Sequence, residues 1–205
     1  MLQAAELTEM QDRATADWHL ALPEEADLVR PYGVDSIEAL LVAQHLANFS
    51  LWHEEDKARD PKASDMAIAH VKRNIDQLNQ RRHDRTEALD ELLLDTARRE
   101  GELNPSAPLN SETPGMIADR LSILSLKIFH TQEEMARPDA PPGHQERNAG
   151  RLALLEEQRR DLAHCFDALW HEVMRGHRRF RLYKQLKMYN DAALNPAVYG
   201  SRHDG

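Results

Sequence analysis

The segment LWHEEDKARD, residues 51 to 60, holds one histidine, four carboxylates and two bases. At about 100° per residue, a helix through it places Ile37, Leu40, Leu41, Gln44, Asn48, Leu51, Glu55 and Arg59 on one face, with Trp52 at the border. Glu55 thus falls on the apolar side, flanked by Asp56 and His45, whereas Glu54 and Lys57 project away. A carboxylate so placed can serve as general acid or base, or can orient neighbouring bases. Glu55 and Asp56 are therefore the candidate catalytic residues.

Three further periodic stretches interrupt an apolar stripe with a base. Ile68, Val71, Ile75, Leu78, Arg82, Arg85, Leu89 and Leu92 recur by threes and fours, with Arg82 at the centre and Asn79 and Lys72 one step off. Ile117, Leu121, Leu124, Ile128 and Met135 form one row and Met116 and Ile123 another, and Arg120 and Lys127 line the strip between them. In the last long stretch Arg159 stands within the row Leu152, Leu155, Leu162, Phe166, Leu169 and Val173. A buried charge needs a partner, and removing one member of a buried pair typically costs about 3–5 kcal/mol. Two readings follow. One is a closed ion-pair network that fixes helix register. The other is a cationic pocket for an anionic small molecule, because the inward bases outnumber the inward acids and arginine forks grip carboxylate and phosphate. Arg82, Arg120, Lys127, Arg159, Asn79, Lys72 and Trp52 are the candidate ligand contacts.

Metal-ligating spacing is sparse. His53, Asp56 and Asp60 share a helix face and form the candidate set, but the paired Glu-x-x-His pattern of carboxylate bundles is missing. Asp161, His164 and His171 align on a face opposite the Leu162–Phe166 row, which is a solvent position. No cofactor is expected, with a divalent metal as the alternative. Cys165 is the only cysteine, so an intrachain disulfide is excluded and a small packing role is the expectation.

The elements that must position these residues are helices. Leu, Ala, Glu and Arg dominate, charged residues make up 30% and aromatic residues 5%, a balance suited to long amphipathic helices. All ten prolines fall between periodic stretches. They divide a single domain into an N-terminal arm (1–30), a bundle core (35–176) and a C-terminal helix with tail (177–205). Within these the spacing predicts an arm helix over about 3–20, with Leu7, Met10, Ala14 and Trp18 in a modest stripe. Four long helices follow: from a cap at Asp35 or Ser36 to about 59, from Ser64 to about 99 with Gly101 ending it, from Thr113 and Pro114 to about 136, and over about 151–175 up to Gly176. A shorter helix is expected over about 178–189. The result is an all-α antiparallel four-helix bundle with arm and tail on its outside or ends.

A formal charge of −9 argues against a nucleic-acid binder, which would need a basic face. The N-terminus has no uninterrupted apolar core, and plain apolar runs reach about five residues, as in ALLVA. A soluble cytoplasmic protein is expected, with no membrane insertion; a homo-oligomer is compatible with this.

Three resemblances add to this reading. Glu54 and Glu55 followed by Glu87 and Asp90, an E-x-x-D in EALD, are similar to the magnesium-holding set of the all-α nucleoside-triphosphate pyrophosphohydrolases. KRNIDQLNQRRHD resembles the first helix of helical chorismate mutases, which implies Lys72, Arg82 and Lys127 as counterparts of bases that clamp a dicarboxylate. The widest resemblance rests on LWHEEDKARD, VKRNIDQLNQRRHD, LNSETPGMIADRLSILSLKIFH, EEQRRDL and KQLKMYNDAALNP, in that order from about Trp18 to Tyr199. Together they resemble the bacterial family catalogued as domain of unknown function 4254. That resemblance carries no activity; it implies an association with surface-polysaccharide gene clusters, and hence nucleotide-sugar or sugar-phosphate chemistry. SETPG adds a helix N-terminus able to meet an anion, and Tyr183, Lys184, Lys187 and Tyr189 are expected to pack on the bundle or close over its site.

Overall fold

The computed structural model describes residues 2–33, 36–184 and 193–194. Its elements are α1 (Ala4–Leu20), α2 (Glu25–Val29) with a 3₁₀ turn over Arg30–Tyr32, α3 (Ile37–Ala58), α4 (Asp65–Glu100), α5 (Pro114–Ala136) and α6 (His144–Met174). The all-α expectation holds, and no strand occurs among the described residues.

The long helices begin where side chains satisfy their free N–H groups. Ser36 Oγ accepts from the Ala39 N–H (3.0 Å), Ser64 Oγ from Ala67 (3.3 Å) and Thr113 Oγ1 from Met116 (3.1 Å), with Pro114 at the first position of α5. Asp35, the other candidate cap, lies outside the described residues. Gly101 caps the end of α4. The helix expected from about 151 starts at His144 instead, directly after the left-handed Gly143 (φ 74°). Gly150 does not break it, because a single helical glycine costs only about 1 kcal/mol and nothing lies against its open side.

α3 and α4 form an antiparallel pair: the start of α3 (Ile37, Leu41) meets the end of α4 (Thr96, Arg99). At the other end Glu54 of α3 accepts from Asn74 near the start of α4 (3.2 Å). α5 and α6 pair likewise, with Lys127, Thr131 and Glu134 opposite Asn148, Arg151 and Leu155. Leu40, Leu41, Leu89, Leu93, Leu121, Phe166 and Leu169 fill the centre. Each such side chain contributes roughly 1.5–3 kcal/mol on burial.

α1 lies against the bundle along one buried stripe, its other residues exposed or half-buried. Leu7, Gln11, Thr15 and Trp18 are buried, Gln11 Nε2 donates to the Ala118 carbonyl (3.3 Å) and the Ala4 N–H to Asp167 Oδ1 (2.8 Å). Its inward stripe contains Gln11 and Thr15, so counting apolar residues alone understates it. The C-terminal segment departs from the expected helix. Gly176 (φ 65°) turns the chain so tightly that a Cβ there would stand 2.0 Å from the Glu102 carbonyl. Residues 178–184 are then extended, not helical: the Arg179 N–H donates to the Pro108 carbonyl (3.1 Å), its carbonyl accepts from Asn110 N–H (2.8 Å), and Phe180 is buried. This backbone pairing is a non-local contact that local periodicity does not register. Tyr183 is exposed and Lys184 pairs with Glu91 (2.9 Å), whereas Lys187 and Tyr189 lie outside the described residues. No helix among the described residues is long and apolar enough to cross a membrane.

Candidate functional site

Asp119 of α5 is the centre of the buried polar interior. Arg82 of α4 reaches it with two edges of its fork, Nε at 2.9 and 3.1 Å and Nη2 at 2.5 Å, and from α3 Asn48 Nδ2 donates at 2.9 Å and Gln44 Nε2 donates as well. The next layer is histidine. His45 Nε2 meets Thr15 Oγ1 (3.0 Å), and that hydroxyl gives its own proton to the Gln11 carbonyl (2.8 Å). Nε2 must therefore carry the ring proton, and Nδ1 accepts from Ser122 Oγ (2.7 Å), which in turn accepts from Asn48 (2.9 Å). Burial holds His45 down at about 3, so the ring is neutral. Gln11 Oε1, Gln44 Oε1 and Ser125 Oγ are buried without a partner among the described residues.

Arg82 also faces outward. Its side chain is 26% exposed against 10% for Asp119, and it lines a groove of about 450 Å³ between α3, α4 and α5. Asn48, Trp52, Glu55, Asp56, Arg59 and Asn79 line the same groove, with Leu51, Ile123 and Leu126 as apolar wall. The Arg82 Nη1 group has no acceptor among the described residues. Arg59 sits at the rim, 3.3 Å from Glu55 and 3.4 Å from Asp56, with all three side chains at least 45% exposed.

The other expected contacts do not converge here. Arg159 pairs with Asp12 of α1 (2.7 Å), Arg120 with Glu112 on the surface (2.6 Å) and Lys72 with its own-helix neighbour Asp76. Lys127 is exposed and lines a second groove, of about 440 Å³, with His130 and Arg151, and Trp52 is the wall that the two grooves share. The correction to Arg120 and Lys127 has a simple cause. α5 is buried on both flanks, through Ile117, Leu121 and Leu124 and through Ala118, Ser122 and Leu126, so the strip between two apolar rows is its solvent edge. Asp119, missed in the sequence, shares a face with Ser122 and Leu126 at spacings of three and four.

The anion expected at SETPG is the chain's own. Asp90 accepts from Thr113 Oγ1 (2.5 Å) and from the Gly115 N–H (2.7 Å) at the start of α5, and burial lifts its carboxyl to about 6. A Cβ on Gly115 would lie 2.7 Å from that carboxylate. Asp90 is thereby separated from Glu54, which pairs with Lys57 (2.5 Å) and Asn74. Asn74 and Asp90 stand about 24 Å apart along α4, so the pyrophosphohydrolase-like carboxylate set is not assembled.

The expected metal trio is also dispersed. Asp60 accepts from the Lys62 N–H (2.9 Å) in the exposed α3–α4 connection, and Asp56 lies at the groove. His53 instead meets His19 of α1 and His130 of α5, with one ligand nitrogen from each ring lying within 4.8 Å of the others. All three rings are partly buried. His19 stacks on Phe129 (centroids 4.4 Å apart) and His130 on Trp52 (4.6 Å, interplanar angle 7°). Burial holds His53 and His130 below the ordinary histidine range, with the neighbouring imidazoles adding to the effect and Glu133 opposing it at His130. Neither His19 nor His130 has a sequence signal: three helices bring the trio together.

Residues 38–182 match the family described as Protein of unknown function (DUF4254). The chain belongs to that family. The DUF4254 match runs from α3 to the extended segment after α6, so α1, which supplies Thr15 and His19, precedes it. No curated protein and no solved structure matches the chain.

Proposed function

We propose that this DUF4254 protein binds an anionic small molecule in the groove between α3, α4 and α5. The observation that supports this most directly is Arg82: Asp119 holds its fork by Nε and Nη2, the same side chain lines the open groove, and its Nη1 group has no acceptor among the described residues. A guanidinium held in this way gives up little side-chain entropy on gripping a phosphate or carboxylate. The remaining lining favours a hydroxylated anion. Asn79 can both donate and accept, Glu55 and Asp56 accept from hydroxyls, and Trp52 offers an apolar edge to a sugar ring. A sugar phosphate or nucleotide sugar combines these features, and surface-glycan biosynthesis is the setting in which such a binder would serve.

Thermal-shift measurements with a hexose phosphate, a nucleotide sugar and the neutral hexose test the reading. A saturable rise with a phosphorylated ligand, absent with the neutral sugar and lost in Arg82→Gln, is expected. Because Arg82→Gln also disturbs Asp119, Asn79→Ala serves as a second variant outside that pair and should weaken the response at least fivefold. Absence of any response to all three ligands overturns the proposal.

A second reading is a non-enzymatic interaction or assembly protein whose ion pairs only hold the helices in register. Its support is the pairing of Arg159 with Asp12, which ties α6 to α1.

A further inference from the structure

We propose that His19, His53 and His130 bind a divalent transition metal of the zinc class between α1, α3 and α5. The inference does not depend on the anion groove.

The tautomers are the first support. His19 Nδ1 lies 2.7 Å from the Thr15 carbonyl oxygen, which can only accept, so Nδ1 carries the proton and Nε2 presents a lone pair. His130 Nδ1 lies 2.8 Å from Glu133 Oε2, and a carboxylate imposes the same assignment. Both Nε2 atoms are buried and have no hydrogen-bond partner among the described residues. A buried acceptor left without a partner is destabilising, yet here two of them accompany a third imidazole. Aromatic packing explains why the rings are present, with Phe129 and Trp52 holding two of them face to face. It does not explain why the buried nitrogens lack donors.

A metal ion accounts for both features. Ligating histidines characteristically donate their other N–H to a backbone carbonyl or a carboxylate, which fixes the ring and raises its basicity. His19 and His130 have one of each. Tetrahedral zinc with Zn–N near 2.0–2.1 Å brings its nitrogens to about 3.4 Å from one another. Separations of up to 4.8 Å must therefore close by at most about 1.4 Å, which torsion of the imidazole side chains can supply. Three neutral nitrogens select zinc, cobalt, nickel or copper over magnesium or calcium. They also leave a fourth position, the arrangement found in catalytic and not in structural zinc sites. Asp56 and Glu133 are the carboxylates that face His130, and Asp56 also faces His53, so the site has counter-charge for a dication.

Untagged full-length protein, treated with EDTA and dialysed, should take up one equivalent of Zn²⁺ per chain with a rise in Tm that EDTA reverses. Titration with Co²⁺ alone should give the visible d–d bands of a low-coordinate nitrogen site, which Zn²⁺ then displaces. His53→Gln and His130→Gln should each weaken Zn²⁺ binding at least 100-fold, whereas His164→Gln, on the exposed face of α6, should leave it unchanged. If His130→Gln fails to fold, His53→Gln decides the matter alone, because its ring makes no hydrogen bond among the described residues. The proposal is overturned if no stoichiometric uptake occurs, or if uptake and the cobalt bands survive His53→Gln.

Discussion

Two histidine sites lie along one seam of this bundle and have opposite hydrogen-bond states. His45 has a partner at each nitrogen, Thr15 and Ser122, and the chain through Asn48 leads on to Asp119 and Arg82. Two turns further along α3, about 12 Å away, His53 meets His19 and His130, whose Nε2 atoms have none. Trp18 packs against His45 and against Phe49, and Phe49 in turn against His53, so the same helices supply both sites. A buried imidazole with both nitrogens satisfied orders the fold and has no coordination capacity left. Imidazoles that are oriented on one side and vacant on the other are prepared for something the chain does not provide. The difference separates polar groups that specify the bundle from polar groups that can serve it.

The largest expected effect is at the satisfied end. Asp119→Ala removes the carboxylate on which Arg82, Gln44 and Asn48 converge, leaving the Arg82 fork and the Gln44 amide without their acceptor while Asn48 keeps only Ser122. Loss of one partner from a buried pair predicts about 3–5 kcal/mol of destabilisation, measured by urea denaturation. Arg82→Ala should be milder, because Gln44 and Asn48 still serve Asp119 and part of the arginine is already in water. A loss below about 1 kcal/mol in Asp119→Ala would show that the hub does not specify the fold.

The next effect is a pH dependence. Native His45 titrates at about 3 and the unfolded side chain near 6.5, so in that window the unfolded chain takes up a proton that the native one refuses. Its contribution to stability is present above pH 6.5 and is lost as pH falls toward 3, by about 1.4 kcal/mol per unit at most. Asp90, lifted to about 6, acts with the opposite sign, losing stability as pH rises from about 4 to 6. The His45 component is isolated by comparison with His45→Gln, whose amide can donate to Thr15 and accept from Ser122. Between pH 6.5 and 4.5 the parent should lose about 2–3 kcal/mol more than the variant. Equal slopes would mean that His45 is hydrated or protonated in the native state.

Much of this architecture was legible in the sequence, for local reasons. Ser36, Ser64, Thr113 and Gly101 act through their own helix ends, and Arg82 stands out because it interrupts a long aliphatic stripe. Asp119 did not, since its face carries Ser122 and the apolar rows on either side drew attention to Arg120 and Lys127. His53 was recognisable as a metal-type residue, but the spacing argument could offer it only Asp56 and Asp60 from its own neighbourhood. Its actual neighbours come from α1 and α5, and the packing of α1 against the bundle depends on Gln11 and Thr15, whose polar character hides their burial. Residues 178–184 illustrate the same limit, since their extended conformation is set by backbone pairing with residues 108–110.

The smallest expected effect is the sharpest test of the contrast between the two sites. In metal-free protein His53→Gln should change stability by less than about 0.5 kcal/mol, as for a side chain that gives up no hydrogen bond. His45→Gln under the same conditions must rebuild both hydrogen bonds on a differently shaped, fully buried side chain and should be the more costly of the two. With Zn²⁺ present the order should reverse: the parent gains stability in proportion to RT ln(1 + [Zn²⁺]/Kd) and His53→Gln does not. Denaturation of both variants with EDTA and with zinc therefore measures the same two histidines in two states. Should His53→Gln prove as damaging as His45→Gln in EDTA, the trio would be a packing element like its neighbour, and the vacancy at its nitrogens would have no functional meaning.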